Sequence, residues 1–329
     1  MSFNKLPNEV VFKIFSYVQG DTKNVFVLPR VCRRWRTVCK MITIECLYWN
    51  NIPYYIDDLI VGLERFKGVK NLTLNFHREF FKGDEMHPED CAMIKICDML
   101  PNLLSIEVSA TGITDKSIEH MMLKCKLLRH ISIDFVEYGC LSGTQINNLI
   151  KNYPNLKSLS LMNVGKMHQK DIQAISECQK LEKLELGGFE LTGNEISPIL
   201  YKCTQLKTLA LVNVGILHQN DIQAVLEFTK LECLILRGFE LTSNGLLQIF
   251  DKCTRLKTLD VFNSNIDLCD YGWCEPMLKS FMRYTNVEMV VGNYYTGPYY
   301  SSRMSVNENG RLIHNHNGKL VFKFSEFCN

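Results

Sequence analysis

Residues 181–196 read "LEKLELGGFELTGNEI", and residues 231–246 read "LECLILRGFELTSNGL". Each stretch opens on one skeleton, L-x-x-L-x-L. That skeleton stands at Leu156/Leu159/Leu161, Leu181/Leu184/Leu186, Leu206/Leu209/Leu211, Leu231/Leu234/Leu236 and Leu256/Leu259/Val261, each copy 25 residues after the last. Looser copies precede it at Val69/Leu72/Leu74, Leu103/Ile106/Val108 and Leu128/Ile131/Ile133, and a degenerate one follows at Val287/Val290.

The closing L-x-L has the period-2 pattern of a short strand with one buried face. Between the strands, Thr192-x-x-Glu195 and Ser142-x-x-Gln145 read as capping boxes. Apolar residues then recur at helical spacing, as at Ile172 and Ile175 or Ile196 and Leu200. Each unit is a strand plus a helix, and a period of about 20–29 residues with this skeleton is that of a leucine-rich repeat. Strands stack about 4.8 Å apart, while a helix with its side chains is about 10 Å across. Stacking therefore fans the helices outward. The expected fold is α/β, a curved solenoid with parallel strands on the concave side and helices on the convex side.

Cys125, Cys178, Cys203 and Cys253 each stand three residues before a repeat's first leucine, where other repeats have Tyr153 and Phe228. A place shared by Cys, Tyr and Phe is a packing position, and with "GITDKSI" at 112–118 it resembles the cysteine-containing subclass of these repeats. None of the 14 cysteines forms a C-x-x-C or a zinc-spaced cluster with His, so no metal, no cofactor and no disulfide is expected. His168 and His218 both sit in "HQ-x-DIQA", two repeats and so about 10 Å apart, too far to share an ion. The net charge of +2 excludes a general field for nucleic acid or membrane, and no apolar run reaches the length of a span. The opening "MSFNKLPNEV" lacks the apolar stretch of a signal peptide, which predicts a cytoplasmic or nuclear chain. No P-loop, G-x-S-x-G, H-E-x-x-H or dinucleotide fingerprint is present, so no catalytic residues are expected.

The first 45 residues do not follow the repeat. Pro7 suits the first turn of a helix. Leu6, Val10, Val11, Ile14, Phe15, Tyr17 and Val18 then cover about half its circumference, wider than the ~100° stripe that one core needs. A unit of this size seldom stabilises itself alone. It reads either as a cap for the repeats or as a docking module with a partner on its outer face.

Leu6-Pro-x-Glu9, Ile14-Phe15-Ser-Tyr17 and Val31-Cys32-x-x-Trp35 resemble the F-box, and repeats directly after it resemble the F-box/leucine-rich-repeat family. The resemblance implies a three-helix F-box at 1–45, a solenoid at 46–292 and a C-terminal loop and hairpin at 293–329. It implies a non-catalytic substrate receptor of a Skp–cullin–F-box ubiquitin ligase, joined to a Skp-type adaptor and through it to cullin, with the repeats holding a target protein. Adaptor contacts would come from Leu6, Pro7, Val10, Ile14, Phe15, Val18, Val31, Cys32 and Trp35. The alternative is a leucine-rich-repeat scaffold outside any ligase.

Residues 162–211 and 212–261 agree at 29 of 50 positions, so a two-repeat block was duplicated as a unit. Residues flanking the skeleton's last two apolar positions point to the concave face. There Met162 becomes Val212, Lys183 becomes Cys233, Glu185 becomes Ile235, Gly187 becomes Arg237 and Ala210 becomes Asp260, while Thr208 is kept as Thr258. Helix positions such as Gln173 and Gln223 stayed the same. The concave face therefore reads as remodelled for recognition, with Lys183, Glu185, Ile235, Arg237, Asp260 and Phe262 as the candidate target-binding set. At the ends, "MITIECL" (41–47) reads as the first strand, "NYYTGPYYSSR" (293–303) as a tyrosine-rich loop, and 311–324 as a hairpin about Asn317-Gly318.

Overall fold

The second and third apolar residues of each skeleton point to one side of a strand, and their rows make the core. In the computed structural model Leu159, Leu184, Leu209, Leu234 and Leu259 have no exposed surface, nor have Leu161, Leu186 and Leu211. The structure describes residues 6–18, 31–39, 45–52, 68–76, 88–110, 112–135, 141, 145–190, 196–215, 219–242, 248–249, 251–261, 265–267, 288–291, 312–314 and 320–323. The chain forms two compact units, Met1–Leu156 and Lys157–Asn329.

In the first unit, helices α1 (Asn8–Val18) and α2 (Arg33–Cys39) precede four parallel strands. These are β1 (Cys46–Ile52), β2 (Asn71–Phe76), β3 (Ser105–Ala110) and β4 (His130–Phe135). Their core rows are in register, Leu47 beside Leu72, Ile106 and Ile131, and Leu74 beside Val108 and Ile133. Helices α3 (Pro88–Met99), α4 (Asp115–Lys124) and α5 (Gln145–Asn152) alternate with the strands. The first described strand covers 46–52, two residues of the stretch read at 41–47; residues 41–44 lie outside the described ones. So do 19–30, where a middle F-box helix would fall.

The second unit continues with β5 (Ser158–Met162), α6 (Gln169–Glu177), β6 (Lys183–Gly187), α7 (Ile196–Lys202), β7 (Thr208–Val212), α8 (Gln219–Glu227) and β8 (Cys233–Arg237). A short strand β9 (Glu240–Thr242) pairs in parallel with β11 (Asn265–Asp267), beside the main sheet. β10 (Thr258–Asp260) and β12 (Glu288–Val291) extend that sheet in parallel. The degenerate copy at Val290 is thus a strand. β13 (Leu312–His314) and β14 (Leu320–Lys323) form the expected hairpin, and β14 closes antiparallel on β12. The turn at 317–318 and the tyrosine segment 293–303 lie outside the described residues.

One carbonyl per repeat fixes the register. It belongs to the residue after the first leucine and accepts two N–H groups from the next repeat. Lys157 O takes Glu182 N (2.8 Å) and Lys183 N (3.0 Å), and Glu182 O takes Lys207 N (2.7 Å) and Thr208 N (3.1 Å). Lys207 O and Glu232 O repeat the pattern, and Lys70 O and Leu104 O do so in the first unit.

Helix starts are capped partly from within, as where His168 N donates to Asp171 Oδ2 (2.8 Å), and partly by neighbouring repeats. Buried Asp221 on α8 accepts from Ile196 N (3.0 Å), Ser197 N (2.8 Å) and Ser197 Oγ (2.7 Å), so it caps α7. Asp90 on α3 takes Thr114 N (2.8 Å) and Ser117 Oγ (2.6 Å) at the start of α4. Thr192, Glu195 and Ser142, read as caps in the sequence, lie outside the described residues. Near the helix ends Ile175 O, Val225 O and Met121 O each accept one turn N–H and keep a second lone pair. Cys203 Sγ donates to Ile175 O (3.5 Å), Cys253 Sγ to Val225 O (3.7 Å), and at the same repeat position Tyr153 Oη donates to Met121 O (3.2 Å). The shared Cys/Tyr place is thus a buried donor as well as a packing position.

The strand-to-helix turns require left-handed residues. Asn163 and Asn213 have φ of 55° and 51°, while Gly188 and Gly238 have 73° and 80°. A Cβ on Gly188 would lie 1.9 Å from Asn163 Oδ1, and one on Gly238 would lie 2.0 Å from Asn213 Oδ1. Gly215 has φ of 81° but its Cβ would meet nothing nearer than 3.7 Å.

Gly215→Ala should therefore cost only the backbone term, about 1–2 kcal/mol. Gly188→Ala and Gly238→Ala should cost more, because an asparagine must also move; equal urea midpoints for the three variants would refute this. Burial pushes the Cys203 thiol from its ordinary 9.0 up to about 12, and Cys178 and Cys253 to about 11. The folded chain therefore holds these protons while the unfolded chain releases them. Their stabilisation is complete below pH 9.0 and is lost as pH rises through about 11 to 12. Unfolding midpoints should fall above pH 9.0, and less steeply in Cys203→Ala than in the parent chain.

Candidate functional site

Two surfaces collect the residues singled out in the sequence. The first lies on α1 and α2. Pro7 O accepts from Val10 N (3.2 Å) and Val11 N (3.1 Å), which starts α1 directly after the proline. Val11 and Val38 are buried. Arg34 on α2 donates from Nε to Asn8 Oδ1 (2.8 Å) and from Nη2 to Leu6 O, and so ties the start of α1 to α2. Trp35 N donates to Cys32 Sγ (3.4 Å), which gives Cys32 a place at the start of α2. Against this frame Val10 and Val31 stand out, 41% and 55% exposed. Pro7 is exposed, and Leu6, Ile14, Cys32 and Trp35 are half-buried. The side chains of Phe15 and Val18 lie outside the description. Arg34 was not singled out in the sequence, since only the fold shows that it meets Asn8.

The second surface is the strand face of the second unit turned away from the leucine rows. Lys183 aligns with Thr208, Cys233 and Thr258; Glu185 with Ala210, Ile235 and Asp260; Gly187 with Val212 and Arg237. Five of the six candidate residues therefore share one face. Phe262 lies outside the described residues. Lys183 Nζ pairs with Glu185 Oε1 at 2.9 Å. Arg237 pairs with Asp260, whose side chain is buried. The duplication thus changed residues in pairs. The first half has Lys183–Glu185 where the second has Cys233 and Ile235. The second half has Arg237–Asp260 where the first has Gly187 and Ala210. Each half keeps one neutral ion pair and moves it along the strand. Gly187 is needed in its half, because a Cβ there would lie 2.8 Å from the backbone oxygen of Val212 as well as 2.5 Å from Met162 Cε. Burial pushes the Cys233 thiol up, with Glu185 adding to the shift, so it is held as a thiol rather than a nucleophilic thiolate.

A charge ladder runs beside this face on the register residues. Lys157 meets Glu182 at 3.0 Å, Glu182 meets Lys207 at 3.2 Å, and Glu232 meets Lys257 at 2.5 Å. Lys157 and Lys207 hold the Glu182 carboxyl below the usual carboxylate range. Sequence reading passed over the ladder. Its signal was the alternation Lys, Glu, Lys, Glu, Lys every 25 residues from 157 to 257. Among the described residues no group of three metal-ligating side chains comes together, and no helix is long and apolar enough to cross a membrane.

Residues 3–44 match the F-box-like family model. No curated protein matches the chain. Among solved structures it is similar to one of a Rad7 and Elc1 complex in yeast, at 14% identity over 82% of this chain and 90% of that one, TM-score 0.39. It is also similar to the leucine-rich repeat-containing protein LegL7 from Legionella pneumophila, at 13% identity over 73% and 71%, TM-score 0.36. A TLR13–ssRNA13 complex is matched at 16% identity over 79% of this chain and 38% of that one, TM-score 0.43. An F-box-like domain followed by leucine-rich repeats is the class of protein that the matched domain and the fold define.

Asp260 is 6% exposed, so Arg237→Ala takes the ion-pair partner from a buried carboxylate and should cost about 1–3 kcal/mol of stability. Arg237→Gly with Asp260→Ala, which installs the residues of the first half, should recover most of that loss. Additive costs in a urea double-mutant cycle would show that the pair is not coupled.

Proposed function

We propose that this chain is the substrate-recognition subunit of a Skp–cullin–F-box ubiquitin ligase, working in the cytoplasm or nucleus. The observation that carries the reading is the F-box-like domain at 3–44, in which Val10 on α1 and Val31 just before α2 are exposed while Val11 and Val38 are buried. Apolar side chains held outward beside two packed helices suit a protein partner. In this reading Leu6, Pro7, Val10, Ile14, Phe15, Val18, Val31, Cys32 and Trp35 face the Skp-type adaptor. Lys183, Glu185, Ile235, Arg237, Asp260 and Phe262 face the target. The chain itself performs no chemistry; it holds the target where other subunits transfer ubiquitin.

Val10→Glu with Val31→Glu alters only exposed side chains and should weaken co-purification of a Skp-type adaptor by at least about tenfold. Arg237→Gly with Asp260→Ala should leave adaptor binding intact and lose the target. Identification by crosslinking and mass spectrometry, comparing parent and variant, reads the second effect. A parent chain that never binds the adaptor would leave a leucine-rich-repeat scaffold as the correct reading.

A further inference from the structure

Leu123 and Leu127 are 64% and 53% exposed, more than any other large apolar residue among the described ones except Tyr201 and Val31. They belong to neither surface described above. Leu123 closes the outer face of α4, opposite the buried Ser117, Ile118 and Met121. Leu127 lies beyond the helix, in the turn that links it to β4. Both therefore expose an apolar side chain at the C-terminal end of α4 and the turn that follows it, on either side of the Cys125 cap. The repeats themselves show that this is unusual. The place of Leu127 is taken in the second unit by Lys180, Gln205, Lys230 and Arg255, all exposed. A solvated turn position holds leucine in one repeat only.

The surround is basic. Lys126 Nζ reaches Asn152 Oδ1 at 3.4 Å, which joins the end of α5 to the patch and leaves the ammonium charge uncompensated. Asn152 in turn donates to Met122 O at 3.3 Å. Lys126, Arg129 and Lys151 are exposed and form no ion pair among the described residues. By contrast Lys70, Lys157, Lys207 and Lys257 are each paired with a glutamate from the adjoining repeat. Two carboxylates stand near. Asp98 is already engaged by Lys124 (2.8 Å) and His120 (3.0 Å), and Glu119 sits one turn before Leu123. Lysines in a last helical turn also suit the helix dipole. That accounts for Lys124 and Lys151 but not for the leucines.

We infer that Leu123 and Leu127, ringed by Lys126, Arg129 and Lys151, form a docking site for an acidic protein segment that carries large apolar side chains. Unpaired cations around an exposed apolar pair call for carboxylates around an apolar anchor. A membrane surface fits less well. An interfacial helix needs an apolar face along its length, and the outer face of α4 has Lys116 and Glu119 ahead of its single leucine. The site does not depend on the F-box, so it stands or falls apart from the ligase reading.

The test uses the full chain and a fluorescein-labelled decapeptide of alternating Glu-Glu and Leu-Leu pairs, followed by fluorescence anisotropy. Saturable binding is expected, weakening by at least about tenfold in Leu123→Gln/Leu127→Gln and separately in Lys126→Glu/Lys151→Glu. It should also weaken between about 50 and 300 mM salt. The Tyr201→Gln chain should bind like the parent, and a peptide with Gln for Glu should bind far less. Circular dichroism checks the fold of each variant, and the lysine variant serves if the leucine variant misfolds. No binding of the acidic peptide, or binding untouched by both double variants, overturns the site. So does retention on vesicles with about 30% phosphatidylserine that the variants abolish while the peptide stays unbound.

Discussion

A single shared carbonyl in each repeat governs the rest of the molecule. Because Lys157 O, Glu182 O, Lys207 O and Glu232 O each accept two successive N–H groups from the next repeat, the strands cannot slip by one residue. A slip of one would turn every leucine of a strand to the solvent face. Register in turn sets which side chains become neighbours. Lys157, Glu182 and Lys207 form a ladder only because their carbonyls already stand in line. Asn163 lies over Gly188 for the same reason, and Asn213 over Gly238. The side-chain arrangements repeat because the backbone contact does.

That constraint explains what could change after the block was duplicated. Leucine rows, turn residues and the buried acids of the helix ends are held by contacts on both sides. Asp171 and Asp221 are both kept and both buried. Strand residues on the opposite face meet one another across or along the strands, as Lys183 meets Glu185 and Arg237 meets Asp260. There the changes came in compensating pairs, Lys183–Glu185 giving way to Cys233 and Ile235, and Gly187 and Ala210 to Arg237 and Asp260. Changing one member of the Arg237–Asp260 pair alone would take the ion-pair partner from a buried carboxylate. The outcome is a face with unchanged net charge and a different shape. The first half carries its ion pair at the start of the strand over small residues, and the second carries its pair at the end over an apolar start.

Most of the fold was legible because a 25-residue period converts directly into stacked strands and helices. The degenerate strand at Val290 and the closing hairpin were legible for the same reason, each showing alternation of apolar residues. Helix capping was legible only where it is local, as where Asp171 accepts from His168 N at the start of its own helix. Asp221 instead caps a helix 25 residues upstream and Asp90 one 24 residues downstream. No short-range rule finds such a partner. The strand face was legible by position, since alternation alone decides which residues point away from the core. Its ion pairs were not, because Arg237 and Asp260 lie on adjacent strands and meet only diagonally across the register.

The cysteines show why residue type alone misleads. Their shared place before each skeleton suggests packing, and burial agrees, yet Cys203, Cys253 and Tyr153 also donate to the carbonyls that end the preceding helix. A thiol is a weak donor, so it does this while behaving as a small apolar residue. A serine would donate more strongly but would bury a hydroxyl among leucines. A leucine would leave these carbonyls with only the turn N–H that each already accepts. Tyrosine solves the same problem from farther away, because its hydroxyl reaches past the packed ring. Phe228 fills the space without a side-chain donor, and it is the one of these residues that is half-buried rather than buried. The choice at this position follows how closed the core is, which is a property of the stack and not of the residue.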